Sequence, residues 1–105
     1  MRGEIWTVLS AGYASKPRPC VVVQADAIKG FESTVICLFA SDEGIGGPTR
    51  IRVEPSARNG LSRPCFIMAE KPLAVKVSAL GQRLGRLEEN YLEEISAALR
   101  SVLGL

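Results

Sequence analysis

Cys20-Val21-Val22-Val23-Gln24 is a short, uninterrupted apolar run that ends in a polar residue. A run of this kind is typical of a β-strand that is buried on both faces of a sheet. The preceding stretch, residues 10–19, is rich in turn formers and places Arg18 between Pro17 and Pro19. Prolines hold the flanking backbone extended and restrict its freedom. We therefore predict a loop with a constrained arginine that leads into a buried strand.

Further strands are predicted on both sides of this run. Glu4-Ile5-Trp6-Thr7-Val8 precedes it, and Arg50-Ile51-Arg52-Val53 alternates as a half-exposed strand does. Asn59-Gly60 is a turn signal, because these residues supply the positive φ angles that a tight turn needs. The other predicted strands are 34–39, 64–69, 73–77 and 82–84, of which the last two are short.

One helix is predicted at the C-terminal end, from about residue 88 to residue 103, with glutamates in its first turns, where the helix dipole favours them. We expect its apolar stripe to pack on the sheet, although a helix that binds a partner would show the same pattern. Short strands, glycine-rich turns and this helix favour an α+β class that is mainly β, folded as one domain over residues 1–105. The apolar residues at helical spacing are Tyr91, Leu92, Ile95, Leu99, Val102 and Leu103.

The composition indicates a globular chain, because 47% of the 105 residues are hydrophobic and 23% are charged. No apolar run approaches the roughly 20 residues that a helix needs to cross a bilayer. The start, Met1-Arg2-Gly3-Glu4-Ile5-Trp6, lacks the apolar stretch of a secretory signal. We therefore expect a soluble, cytoplasmic protein without a membrane partner.

The cysteine and histidine content argues against a metal site. Cys20, Cys37 and Cys65 are three in number, lie in probable strands and show no Cys-x-x-Cys spacing, so we expect buried thiols. The chain has no histidine. We therefore expect no metal and no cofactor, and any catalysis must use Arg, Lys, carboxylate, hydroxyl or substrate groups.

The charge is unevenly distributed although the net charge is only +2. Acidic residues gather near the C-terminus, at Glu88, Glu89, Glu93 and Glu94, so the rest of the chain is basic. A phosphate backbone would bind such a surface, and a merely solvated surface explains scattered cations equally well. The basic residues are Lys16, Arg18, Arg50, Arg52, Arg58, Arg63, Lys71, Lys76, Arg83 and Arg86.

Several blocks along the whole chain resemble the MazF/PemK (Kid) family of toxins in the same order. The opening Arg2-Gly3-Glu4-Ile5-Trp6 is one, and the stronger one is Lys16-Pro17-Arg18-Pro19-Cys20-Val21-Val22-Val23-Gln24-Ala25-Asp26, an Arg-Pro-aliphatic run. The third strand, which runs into Ala40-Ser41, resembles the family strand that ends in Thr or Ser. The later blocks are Asn59-Gly60-Leu61, Met68-Ala69-Glu70-Lys71, the run 80–87 and the ending 97–105.

The resemblance implies an SH3-like β-barrel with a C-terminal helix, assembled as a homodimer. It also implies a metal-independent endoribonuclease that cuts single-stranded mRNA at short preferred sequences and arrests growth. The implied partner is a cognate antitoxin whose disordered acidic tail occupies the RNA groove. RNA carries its own nucleophile in the 2'-hydroxyl, so such chemistry requires no metal-bound water.

The resemblance assigns roles to particular residues. Arg18 matches the catalytic arginine of the family, whereas Ala40 stands at the position of its threonine, so Ser41 is the candidate for the missing hydroxyl. Candidate RNA-binding residues are Tyr13, Lys16, Glu70 and Lys71, with Glu70 either orienting Arg18 or accepting a proton. Each has a plainer interpretation: a loop cation for Arg18, a turn residue for Ser41 and a surface acid for Glu70. Trp6 is expected in the core.

Two alternative functions remain open from the sequence. The same barrel occurs in CcdB-like toxins, which bind DNA gyrase and do not cut RNA. Those toxins depend on a distinctive C-terminal segment that is not recognisable in residues 100–105. The alanine at position 40 also fits a weakened toxin that retains antitoxin binding.

Overall fold

The computed structural model describes residues 1–9 and 16–105. In this part of the chain, seven strands are followed by one α-helix, and short 3-10 helices lie at Gly47–Thr49 and Val77–Ala79. The elements are β1 Glu4–Val8, β2 Arg18–Val22, β3 Ser33–Ala40, β4 Arg50–Val53, β5 Cys65–Met68, β6 Leu73–Lys76, β7 Leu80–Arg86 and α1 Glu89–Leu103.

The strands form one antiparallel sheet in the order β4-β5-β3-β2-β1-β7, with β6 also paired to β3. The long strand β3 pairs with β6 over Ser33–Ile36 and with β5 at Phe39 and Ala40, so it joins two parts of a bent sheet. Within residues 1–9 and 16–105 no pairing joins β4 to β7, and the sheet is therefore curved but not closed. The predicted mainly β class with a C-terminal helix is confirmed.

The strand β2 is buried on both faces, as its apolar run predicts. Val21 and the adjacent Val23 pack into one cluster, which also contains Leu92 and Ile95 of α1 and is called here the helix-side cluster. Cys20 and Val22 alternate with them and pack into a second cluster on the other face, called here the outer cluster. Because successive side chains in a strand point to opposite faces, one uninterrupted apolar run supplies both clusters.

The helix α1 covers the helix-side cluster with the predicted stripe as far as Leu99, whereas Leu103 at the end of the stripe is exposed. Leu92 and Ile95 are buried, and Tyr91, Ala98 and Leu99 pack against them. The helix ends at Gly104, whose φ of 70° is the left-handed conformation that glycine adopts without strain. This arrangement confirms that the stripe packs on the sheet.

The predicted strand bounds differ most from the structure at β2 and β7. β2 begins at Arg18, not Cys20, because Pro19 lies in the ladder opposite Thr7 although it has no N–H to donate. β7 spans Leu80–Arg86 and not only residues 82–84, because it pairs with β1 from Val8 opposite Leu80 to Glu4 opposite Arg86, with register shifts on both sides of Trp6. A Cβ at Gly85 would overlap the Arg58 carbonyl oxygen, so a neighbouring turn approaches the backbone at this point.

The three cysteines are buried free thiols, as predicted. Burial raises the pKa of the Cys20 and Cys37 thiols to about 12 and that of Cys65 to about 11. All three are therefore protonated and unreactive at neutral pH. Trp6 packs against the outer cluster, in agreement with the expected core position, and its indole Nε1 donates to Glu4 Oε1 at 3.0 Å.

No helix in the described parts of the chain is long and apolar enough to span a membrane.

Candidate functional site

A groove with a volume of about 440 Å³ lies where three distant segments of the chain meet. Its walls are residues 16–19, which lead into β2, residues 39–41 at the end of β3, and residues 63–65, which lead into β5. β3 pairs with β2 on one side and with β5 on the other, so the sheet itself brings these three segments together.

Arg18 lies in this groove at the first position of β2. Its Nη2 donates a hydrogen bond to the carbonyl oxygen of Phe39 at 3.3 Å, so the guanidinium reaches across to the end of β3. The side chain is half-buried between solvent and the strand ends. A guanidinium carries five N–H donors in one plane, a geometry that suits a phosphate group.

Ala40 and Ser41 line the groove beside Arg18. β2 and β3 pair with Cys20 opposite Leu38, and continuing this register places Ala40 opposite Arg18. Opposite residues of an antiparallel pair point to the same face, so the side chains of Ala40 and Arg18 lie on one face of the sheet. Ser41 follows at the point where β3 ends, and it is exposed. The structure therefore brings Arg18 and Ser41 together in one groove, as the sequence analysis expects.

Two other cations line the same groove. Lys16 is exposed on the segment before β2, in agreement with its predicted place near Arg18. Arg63 is the groove residue that the sequence analysis does not single out. A signal for it is nevertheless present, because Arg18-Pro19-Cys20 is repeated as Arg63-Pro64-Cys65, each at the start of a buried strand. The paired Arg-Pro-Cys segments give the groove two arginines.

Glu70 has a partner that the sequence analysis does not predict. Its carboxylate accepts hydrogen bonds from Arg50, with Nε at 3.0 Å from Oε1 and 2.8 Å from Oε2, and Nη2 lies 2.6 Å from Oε2. Thr49 Oγ1 lies 3.2 Å from Glu70 Oε1. The Glu70 carboxylate therefore lies against Arg50, and its expected parts in orienting Arg18 and in binding RNA remain predictions. Neither Glu70 nor Lys71 is among the groove residues that the structure describes.

The ion pair also sets the protonation state of Glu70. Partial burial disfavours its charged form, but the hydrogen bonds from Arg50 and Thr49 and the positive charge of Arg50 outweigh this effect and lower the pKa of the carboxyl. Hydrogen bonding to Glu70 raises the pKa of Arg50 in turn. Both groups are therefore charged at neutral pH, and Glu70 is a poor proton acceptor for catalysis there.

The groove is suited to an anionic strand. It combines Arg18, Lys16 and Arg63 with the apolar surfaces of three prolines and Phe39, and no acidic side chain is among its described lining residues. Guanidinium groups bind phosphate through two parallel hydrogen bonds, and exposed lysine adds a point charge. An arginine beside a hydroxyl group can stabilise negative charge that develops on a phosphate during reaction.

Residues 1–103 match the PemK-like, MazF-like toxins of type II toxin–antitoxin systems. The chain belongs to this family. A relative with 34% identity over 105 residues is a probable endoribonuclease MazF from Mycolicibacterium smegmatis, and the match covers 99% of this chain and 96% of that protein.

Solved structures share the fold of this PemK/MazF chain. An endoribonuclease in complex with its cognate antitoxin from a mycobacterial species has a TM-score of 0.83 at 23% identity, over 100% of this chain and 95% of that one. A MazE–MazF structure from Deinococcus radiodurans has a TM-score of 0.76 at 22% identity, over 99% and 95% of the two chains. At these identities the likeness shows the fold.

The family assignment confirms the resemblance on which the site residues were chosen. Arg18 and Lys16 lie in the groove and Ala40 stands beside the arginine, where the resemblance places a threonine in relatives. Tyr13 falls outside the described residues, and its contact with RNA remains a prediction.

Proposed function

We propose that this protein is the toxin of a type II toxin–antitoxin pair. It cleaves single-stranded mRNA, with Arg18 as a catalytic residue. The observation that carries the proposal is the position of the Arg18 guanidinium, in a groove that Lys16 and Arg63 also line and beside Ser41. Membership of the PemK/MazF family supports this activity over gyrase binding. The relative from Mycolicibacterium smegmatis carries the same activity in its name.

The reaction uses a nucleophile that RNA itself supplies. The ribose 2'-oxygen bonds to the adjacent phosphorus while the bond from phosphorus to the 5'-oxygen breaks. The 2'-hydroxyl loses its proton and the departing 5'-oxygen gains one, which leaves a 2',3'-cyclic phosphate and a 5'-hydroxyl end. Because the attack is intramolecular, the protein has to align the strand and stabilise charge, and no metal-bound water is needed.

Each groove residue has a part in this step. Arg18 donates to the non-bridging phosphate oxygens, where negative charge increases in the transition state. Ser41 supplies the hydroxyl that assists proton transfer, in place of the threonine that Ala40 replaces. Lys16 and Arg63 bind the flanking phosphates and hold the strand in the groove. Tyr13 is proposed to stack on a base.

The proposed partner is a cognate antitoxin with a disordered acidic tail. The mycobacterial and Deinococcus structures contain toxins with their antitoxins, which supports such a complex for this chain. A flexible acidic segment fits a groove lined by three cations and competes there with RNA. We also infer a homodimer of one-domain protomers in the cytoplasm, where mRNA is available. Sedimentation equilibrium tests the dimer, since a monomer mass would contradict it.

Cleavage of a long single-stranded RNA by the purified, antitoxin-free protein in EDTA tests the activity. We expect cyclic-phosphate and 5'-hydroxyl ends, and we expect Arg18→Ala to reduce the rate by at least about 100-fold, because it removes the main donor to the transition state. Arg58→Ala is the matched control, since Arg58 is exposed and does not line the groove. Intact RNA after prolonged incubation with folded wild-type protein would contradict the proposal.

A further inference from the structure

The loop between β3 and β4, residues 41–49, carries Ser41 at its start and is anchored by a charged pair at its end. Arg50, the first residue of β4, forms a bidentate ion pair with Glu70, which lies just after β5. Only 9% of the Arg50 side chain is exposed, against 56% for Arg52, two residues along the same strand. The Arg50 guanidinium is therefore fixed in one place, as a surface arginine is not.

The same arginine holds the loop at two points. Its Nη1 donates to the carbonyl oxygen of Asp42 at 3.4 Å, which is the residue directly after Ser41. Gly46 lies flat against the stem of Arg50, because a Cβ at position 46 would overlap the Arg50 Cγ and Nε atoms. The loop can follow this path only because Arg50 lies beneath it and residue 46 has no side chain.

Thr49 joins the loop to the same pair. Its Oγ1 lies 2.8 Å from the carbonyl oxygen of Gly46 and 3.2 Å from Glu70 Oε1, so its proton can be donated to either. Its backbone N–H donates to Gly46 O at 3.1 Å. Glu70, Thr49 and Arg50 therefore form one hydrogen-bonded network. This network holds the loop whose first residue, Ser41, lies in the groove wall.

We propose that the Arg50–Glu70 pair is the positioning device for RNA cleavage: it fixes the β3–β4 loop so that Ser41 faces Arg18, and it thereby sets which RNA sequences are cut. This inference rests on the proposed ribonuclease function. Arg50 and Glu70 are positioning residues, because they act through Ser41 and lie outside the described lining of the groove. A displacement of about 1 Å at a reacting group costs on the order of 100-fold in rate, so a small shift of the loop has a large effect.

The test compares Arg50→Met and Glu70→Gln with Arg52→Met as the matched control on the same strand. On an oligonucleotide with the preferred sequence, we expect kcat to fall about 10- to 100-fold in the first two variants, with KM within about 3-fold. Mapping of 5'-ends on a long RNA should show cleavage at additional sequences. Arg52→Met should match the wild type in rate and in sequence preference.

Two further variants separate positioning from general stability. In Arg50→Met/Glu70→Met both charges are removed together, so the free energy of unfolding should recover relative to Arg50→Met, while kcat should remain low because the Asp42 carbonyl has lost its donor. Gly46→Ala keeps the ion pair and pushes the loop away from Arg50, and it should reproduce the fall in kcat. Recovery of kcat together with stability in the double variant would show a merely structural role.

Different results would overturn the positioning role of the Arg50–Glu70 pair and the ribonuclease function. Wild-type kcat and sequence preference in folded Arg50→Met would overturn the positioning proposal while leaving the nuclease assignment intact. If the wild-type protein cuts no RNA, the nuclease assignment fails, and hydrogen exchange of the backbone amides of residues 42–47 then decides whether Arg50 anchors the loop. Faster exchange in Arg50→Met than in Arg52→Met would support the anchoring role, and equal exchange would overturn it.

Discussion

Arg18 reaches the end of β3 through its hydrogen bond to the Phe39 carbonyl oxygen, and the next residue there is Ala40. A methyl group at this position supplies no donor or acceptor to a reacting phosphate. Ser41 is the adjacent groove residue with a hydroxyl group. At the residue scale, the proposed catalysis therefore depends on whether the hydroxyl group of Ser41, just after β3, replaces the threonine hydroxyl that Ala40 lacks.

Ser41→Ala and Ala40→Thr test this replacement as a double-mutant cycle. We expect Ser41→Ala to lower kcat about 100-fold in the wild-type background, because it removes the hydroxyl group that assists proton transfer. In the Ala40→Thr background the same change should cost less than about 10-fold, since the new threonine lies on the same face of the sheet as Arg18. Single-turnover cleavage of a short RNA measures both values, with Ser78→Ala as the control. Equal losses in the two backgrounds would show that the two positions do not substitute for each other.

The sequence predicts which segments meet at this groove only in part, because some of the contacts depend on strand pairing that it does not show. Arg18 and Ser41 are expected together because each follows from a family block at a strand end, and the pairing of β2 with β3 places both strand ends at one groove. The contact of Glu70 with Arg50 is not predicted, because it depends on the pairing of β4 with β5. Arg63 is not singled out because its place in the groove depends on the pairing of β5 with β3, without which it is one exposed cation among many.

At the element scale, one buried amide joins the β4–β5 turn to the start of α1. Asn59 is fully buried. Its Oδ1 accepts from the N–H groups of Ser56 and Leu61, each at 3.0 Å, while Nδ2 donates to Glu54 O at 2.9 Å and to Glu88 Oε1 at 3.2 Å. Glu88, the residue before the helix, also accepts from Ser56 Oγ at 2.7 Å. The turn, the helix start and the sheet are thereby held in one arrangement.

Asn59→Ala should be strongly destabilising. The substitution leaves two N–H groups and a carbonyl oxygen without the partners that Asn59 provides, at about 1–3 kcal/mol for each buried group that stays unsatisfied. We expect a loss of about 3 kcal/mol in the free energy of unfolding, measured by urea denaturation. Asn90→Ala, at an exposed position in the first turn of α1, is the control and should change it by less than about 0.5 kcal/mol. A similar small change for Asn59→Ala would contradict this account of the turn.

The positions of strands and of the helix can be predicted from the sequence where apolar residues recur with the period of that element. β4 spans Arg50–Val53 as its alternation predicts, and α1 begins one residue after the predicted start. Asn59-Gly60 is a turn as predicted, and Gly60 has a φ of 72°. The burial of Asn59 is not predictable from the turn signal, because its partners Glu54 and Glu88 lie on different elements.

At the scale of the whole molecule, two carboxylates with lowered pKa hold distant parts of the fold together. Glu70 connects the end of β5 to the β3–β4 loop, and Glu88 connects α1 to the β4–β5 turn. Partial burial opposes the charge of Glu88, but hydrogen bonds from Ser56 and Asn59 outweigh it and lower the pKa of this carboxyl. A carboxyl with a lowered folded-state pKa stabilises the fold above its unfolded-state pKa, and this contribution disappears as pH falls through the folded-state value.

The free energy of unfolding should therefore depend on pH in the acidic range. We expect the free energy of unfolding to fall as pH drops below about 4.5, the ordinary pKa of both glutamates. The double variant Glu70→Gln/Glu88→Gln should be less stable than the wild type at pH 7, and this difference should shrink as the solution is acidified. Urea denaturation between pH 7 and pH 3.5 measures both curves, with the exposed Glu94→Gln as control. Parallel curves for the wild type and the double variant would contradict the linkage.

The three segments that form the groove are far apart in the sequence, so they are synthesised at different times. Residues 63–65 emerge from the ribosome long after residues 16–19, and β1 acquires its second neighbour only from β7, near the end of the polypeptide. Non-local pairings of this kind form late, because the closure of long loops costs entropy before contacts repay it. A nascent chain therefore has no complete groove until residues 63–65 have been synthesised and β5 has paired with β3.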